Sequence, residues 1–137
     1  MTCTALVESK LTHIKQMPTG PALGFFQVEW ATYLDVVRYL GSNRRLFTLI
    51  LHWCERDYLP TNQSTLMTDM ALNVLIARVK YWMQSEPLPP CLDAHGLANY
   101  YKKYYNTYKG DAVIDTFVKA YQDAKGWIEN ETPKGIN

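Results

Sequence analysis

A glutamate followed by a serine, Glu8-Ser9, closes the short apolar stretch "TALVE" at the front of this chain. A carboxyl group on the edge of an apolar helix acquires a raised pKa when the fold buries it, because desolvation penalises the charged form. A carboxyl that keeps its proton near neutral pH is suited to general acid catalysis. Nineteen positions on, across a loop carrying Pro18, Gly20 and Pro21, stands Gln27 at the end of "GPALGFFQ". Gly24 lets the backbone turn tightly there, and the Gln27 amide offers donors and acceptors to a sugar or to neighbouring backbone. Glu29 and Asp35 are the next carboxylates in sequence. His52 and Cys54 in "HWCE" tempt a metal reading, but two positions on a helix point about 200° apart. His13 and His95 have no paired partner. No metal site and no cofactor are expected.

A second cluster lies at 100–108, with Tyr100, Tyr104 and Tyr108 on one helical stripe, Tyr101 and Tyr105 on the next, and Lys102 and Lys103 among them. Aromatic faces stack on sugars or bases, and lysines pair with phosphates. Fourteen basic against thirteen acidic residues leave a net charge of +1, which disfavours nucleic acid as a partner. Tyrosine is also favoured in cores and at protein interfaces. Five tyrosines in nine residues wrap far round a single helix. At least two are therefore expected to be exposed on the isolated chain and covered by a partner subunit.

The segment "ESKLTHIKQMPTGPALGFFQVE" resembles the signature of the lysozyme-like, soluble lytic transglycosylase family. That family's first motif is a catalytic Glu followed by Ser, matched by Glu8-Ser9. Its second is a turn of Gly, then Leu or an aromatic, then Met or another apolar residue, then Gln, matched by Gly24 to Gln27. Its third is an Ala-Tyr-Asn-Ala-Gly turn whose tyrosine helps hold the acid. "YYNTYKG" places Tyr105-Asn106 in the Tyr-Asn position, with Thr107 where the family has a small residue. Over most of its length the chain also resembles small virion components of tailed phages that carry the same signature. Such proteins are made in the host cytoplasm and act at the bacterial wall.

The resemblance implies an all-α, lysozyme-like domain over residues 1–130 with a polar tail at 131–137. It also implies cleavage of peptidoglycan glycan strands. Glu8 would protonate the glycosidic oxygen and then, as a base, draw a proton from the muramyl 6-hydroxyl as an anhydro ring closes. Ser9, Gln27, Tyr105 and Asn106 would contact substrate. A hydrolase would need a second carboxylate, and neither Glu29 nor Asp35 stands in a matching motif, so the single-acid mechanism is preferred. The rival reading is a non-catalytic tail, portal-region or core protein that keeps the fold, with other virion proteins or copies of itself as partners. A nucleic-acid-contacting ejection protein is a third. On the catalytic reading, Glu8 is expected in a cleft facing Gln27 and residues 105–106.

The elements that must position these residues follow from length and periodicity. The chain has 137 residues, 47% apolar and 20% charged, which suits one globular core. Three cysteines without metal-type spacing are expected to be free thiols. "MTCTALVESK" lacks the basic and apolar regions of a secretory signal, and "LFTLILHWC" is too short to span a bilayer. Helical periodicity predicts a helix over 31–40 stopping at Gly41, and a second over 43–58 with Leu46, Ile50 and Trp53 inward. A third runs from Ser64 to 85 with Met67, Met70, Ala71, Val74 and Tyr81 on one face. A proline-rich connector spans 86–93. A tyrosine-rich helix then leads to a break at Gly110 and a last helix carrying Ile114, Phe117, Tyr121 and Ile128.

Overall fold

The computed structural model describes residues 1–16, 20–106 and 113–131, with side chains as far as residue 127. Pro18, Thr107, Tyr108, the break expected at Gly110, the side chain of Ile128 and all but the first residue of the expected tail lie outside them. The described backbone is mostly helical. Helix α1 (Thr2–Ser9) leads through a loop to a hairpin of β1 (Ala22–Leu23) and β2 (Val28–Glu29). Then follow α2 (Trp30–Ser42), α3 (Arg44–Trp53), α4 (Thr65–Thr68), α5 (Met70–Trp82) and α6 (Ala94–Tyr101). The last of these runs directly into a π-helical turn (Lys102–Asn106), and α7 (Ile114–Glu131) ends the described chain.

The hairpin is the one departure from an all-α reading among the described residues. Ala22 pairs with Glu29 and Leu23 with Val28, and Lys15 bridges to Leu23 on the other side. Strands of two residues are too short to produce a readable alternation.

Three helix boundaries differ from the periodic reading, each for a local reason. Helix α2 passes through Gly41 and stops at Asn43, whose side chain accepts the Leu46 N–H and so starts α3. Helix α3 ends at Trp53, which is exposed and not inward. Just beyond it Glu55 takes a left-handed conformation, and the Arg56 N–H bonds the Leu51 carbonyl. The long helix expected from Ser64 is broken at Asp69. Asp69 leaves the helical region, accepts the Leu72 N–H at 2.9 Å as the cap of α5, and pairs with Arg56 at 2.8 Å. The break rotates the inward face. Leu72, Asn73, Ile76, Ala77 and Val79 are buried, while Ala71 and Met70 are exposed.

Helix α5 is the central post, packed against α2, α3, α4, β2 and the π-turn, while α7 covers α1 and α6. Around α5 gather Tyr33, Val36 and Leu40 of α2, Ile50, Leu66, Phe26 and Val28. Each large apolar side chain buried there contributes about 1.5–3 kcal/mol relative to exposure.

The tyrosine helix is part of this core. Tyr100, Tyr101 and Tyr105 are buried and Tyr104 is half-buried against Tyr100, with ring centroids 4.7 Å apart. Two exposed tyrosines are thus not found among the four described. The geometric reason is that α1, α5, α7 and the hairpin enclose this helix on several sides, and the π-turn changes which residues share a face.

The hairpin is fastened to α5 by Asn73, which is buried in the middle of that helix. Its Oδ1 accepts the Phe26 N–H at 3.0 Å and its amide donates to the Leu23 carbonyl at 3.4 Å. Gly24 crosses directly over this amide with φ 74°, and a Cβ there would collide with it and with the Leu66 carbonyl oxygen. Gly24→Ala is expected to destabilise the fold by roughly 1–3 kcal/mol through left-handed strain alone, and more through the collision. Urea unfolding of the two proteins measures the difference.

Candidate active site

Glu8 lies in the last turn of α1, and the chain turns away immediately after it. Lys10 and Leu11 both adopt left-handed φ, 54° and 55°. Ser9 enforces the turn. Its hydroxyl donates to the Ala5 carbonyl at 2.9 Å and accepts the Leu11 N–H at 3.2 Å, while its carbonyl accepts from the Thr12 and His13 N–H groups. Ser9 is buried and its only hydroxyl proton is committed. Its place is under the acid as a brace, and a substrate contact is not what this geometry provides.

The Glu8 carboxyl is half-buried and points at the tyrosine helix. The Tyr101 hydroxyl donates to Glu8 Oε1 at 2.7 Å, across 93 positions of sequence, and the Asn106 side chain gives a further hydrogen bond. Lys102 Nζ donates to Asn106 Oδ1 at 3.0 Å, which leaves the Asn106 amide N–H for the carboxylate. Tyr101 and Asn106 are five residues apart, about 140° round an ordinary α-helix. The π-turn brings them to the same group, in keeping with the frequency of such turns at functional sites.

Burial pushes the Glu8 carboxyl above the ordinary glutamate value of 4.5; the Tyr101 bond, the Lys80 charge and the Asn106 bond oppose this without overcoming it. Tyr101 is itself pushed far above the phenol range by burial and by the Glu8 charge, so it stays a donor at every physiological pH. Lys80, near the end of α5, is depressed by burial, against the opposing pull of Glu8 and Glu29.

Tyr105, which the third motif places on the acid, bonds elsewhere. Its hydroxyl donates to the Phe26 carbonyl at 2.7 Å, and burial raises its pKa. Tyr101 takes the role expected of Tyr105, one helical turn earlier. Tyr105 instead joins the tyrosine helix to the hairpin.

Gln27 sits at φ 47° on the hairpin turn. Its Nε2 donates to the Gly24 carbonyl at 2.8 Å and to the His13 carbonyl at 3.3 Å. Both amide protons are therefore spent on holding the turn to the loop that follows Glu8. Its Oε1 makes no bond among the described residues and is the group left to meet a ligand. That loop is further zipped to the hairpin by the Gly24 N–H on the Ile14 carbonyl at 2.9 Å and the Gln16 N–H on the Ala22 carbonyl at 3.1 Å. Gln27 is thus tied to the loop that follows Glu8, with no direct bond to Glu8 itself.

Of the other carboxylates, Glu29 is exposed at the end of β2, and its charge reaches Lys80. Asp35 is on the outer face of α2, paired with Arg38 at 2.7 Å, and takes no part. An apolar cavity of about 550 Å³ lies behind Tyr81 and Tyr100, between Cys3, Leu97 and Phe117; Glu8 is not among its walls. Cys3, Cys54 and Cys91 are free thiols. Among the described residues, no three His, Cys, Asp or Glu side chains converge as a metal ligand set, and no helix is long and apolar enough to cross a membrane.

Two members of the site were not anticipated. Tyr101 shares the helical stripe of Tyr105, and only its hydrogen bond to Glu8 distinguishes it. Lys80 carried a readable signal, a cation set on the core side of the apolar run "ALNVLIARVKYW". Family models, curated proteins and solved structures yield no match to this chain.

Tyr101→Phe removes the hydroxyl and keeps the ring. The Tyr101 bond favours the Glu8 carboxylate, so its loss is expected to move the Glu8 titration upward while the fold survives. Carbon-detected NMR of labelled glutamate side chains, followed through pH, reads that shift.

Proposed function

We propose that this protein cleaves peptidoglycan glycan strands as a single-acid lytic transglycosylase of lysozyme-like architecture, carried in a phage virion. The observation that carries this reading is Glu8 itself. It is a half-buried carboxyl with a raised pKa, oriented by Tyr101 and Asn106, next to a hairpin whose Gln27 keeps one amide oxygen for a ligand. The virion setting rests on the likeness of the sequence to phage components.

On this reading the protonated Glu8 delivers its proton to the glycosidic oxygen as that oxygen leaves C1 of the muramyl residue. The muramyl 6-hydroxyl closes on C1, and its proton returns to the Glu8 carboxylate. One bond breaks, one forms, the acid is regenerated and no water is consumed. Tyr101 and Asn106 hold the carboxyl in place and steady its charge between the two transfers. Gln27 Oε1 accepts a hydrogen bond from the sugar, and Tyr105 keeps the hairpin at its distance by fixing the Phe26 carbonyl. Hydrolysis would require a second carboxylate across the sugar. Asp35 is committed to Arg38, and Glu29 is an exposed residue outside the Glu8 bonding network. The single-acid route needs neither.

Purified protein incubated with peptidoglycan is expected to release muropeptides ending in 1,6-anhydro-muramyl groups, seen by mass spectrometry. Glu8→Gln keeps shape and removes the proton, and is expected to lower this activity by about 100-fold or more. Reducing ends in place of anhydro ends would overturn the single-acid route. Survival of activity in Glu8→Gln would place the acid elsewhere.

The same substitution has a stability signature. Because burial raises the folded-state pKa of Glu8, its contribution to stability is complete below the ordinary value of 4.5 and is lost as pH climbs through the folded-state value. Glu8→Gln does not titrate. It is expected to match the wild type in urea midpoint at pH 4 and to exceed it at pH 7.

A further inference from the structure

Lys80 sits at the meeting point of the three parts of this site. Its ammonium donates to the Tyr105 carbonyl at 2.9 Å and lies 3.9 Å from the centroid of the Tyr105 ring. The charges of the Glu8 carboxyl on α1 and of the Glu29 carboxylate at the end of β2 both act on it. The Tyr105 ring and carbonyl meet it from the π-turn, where Asn106 also reaches Glu8. Among these neighbours Lys80 is the cation, and it is tethered at a backbone oxygen and an aromatic face and not free to swing into solvent. A charge held this way, in surroundings poor in water, interacts far more strongly than a surface lysine would.

We propose that Lys80 is the positioning residue of this site: its fixed ammonium stands opposite the carboxylate that Glu8 becomes when it gives up its proton. The inference rests on the glycan-cleaving reading only for what that proton does. The coupling of Lys80 to Glu8 is a property of the protein alone. Two features follow from the placement. Lys80, after the Tyr101 hydrogen bond, opposes the upward push of burial on Glu8. The Glu8 charge in turn favours the ammonium form of Lys80 against the larger effect of burial, so each group acts on the titration of the other.

Lys80→Met replaces the ammonium with an apolar group of similar length. The first measurement needs no substrate: the Glu8 side-chain titration by NMR in wild type and variant. An upward shift in Lys80→Met supports the proposal, and an unchanged titration overturns it. Should Lys80→Met fail to fold, the reverse experiment decides. Coupling between sites is reciprocal, so Glu8→Gln must lower the Lys80 side-chain amine titration, and no change there overturns the proposal equally.

The second measurement is the pH profile of anhydro-muropeptide release. Loss of Lys80 is expected to lower kcat at the plateau with KM held, and to move the alkaline limb upward in pH. A merely structural lysine would lower activity without moving that limb, and this result overturns the proposal. Wild-type protein that releases no muropeptides would sink the glycan-cleaving reading, and the NMR titrations would still decide the role of Lys80.

Discussion

The hydrogen bond from Tyr101 to Glu8 sets the terms for everything around it. A carboxyl withdrawn from water into an apolar setting is costly unless partners replace the hydration it loses. Here a phenol at 2.7 Å and a side-chain amide do so. To supply them, the tyrosine helix has to be inside the molecule, so its rings line the core and are not kept for a partner. Tyr101 meets Phe117 of α7 in a tilted pair at 4.9 Å and stacks with Tyr105 at 5.9 Å, and Tyr105 in turn lies against Tyr81 of α5 at 5.0 Å. A charged group at neutral pH in such a place works against folding stability.

Positioning depends on a second constraint, the joining of three segments far apart in sequence. The loop after Glu8 is held to the hairpin through the Ile14, His13 and Ala22 carbonyls. The hairpin is held to α5 by Asn73, and to the π-turn by the Tyr105 hydroxyl on the Phe26 carbonyl. Much of this cross-linking uses side chains to satisfy backbone groups that the two-residue strands leave unpaired. Ser9, Gln27 and Tyr105, all expected to contact substrate, are occupied largely in this way. They hold the frame in which Glu8, Asn106 and the free side of Gln27 stand. A residue that braces an acid and a residue that touches a sugar can look identical in a motif, since both are polar and both sit near the acid in sequence or space.

Charge completes the arrangement. The chain as a whole is close to neutral, so its electrostatics are local. Lys80 is tied down between Glu8, Glu29 and Tyr105, while the exposed pairs Arg38–Asp35 and Lys103–Glu86 stand in water, where such pairs contribute little. The difference lies in burial, which raises the strength of every remaining interaction.

Local pattern by itself determined the helical class, the proline-rich gap before α6 and the tight turn at Gly24. Each of these depends on residues within a few positions of one another: spacing of apolar side chains, the missing N–H of proline, the missing Cβ of glycine. Even locally the pattern misled where a short polar side chain outcompeted it. Asp69 and Asn43 each captured a backbone N–H and restarted a helix, turning the inward face of α5 away from Ala71. What only the tertiary structure decided is which groups meet Glu8. Tyr101, Asn106 and Lys80 lie some 70 to 100 positions away, and helical periodicity put Tyr101 and Asn106 on different sides until the π-turn brought them together. Partner choice and proton affinity are properties of burial and of contacts across the fold. No spacing rule along the chain contains them.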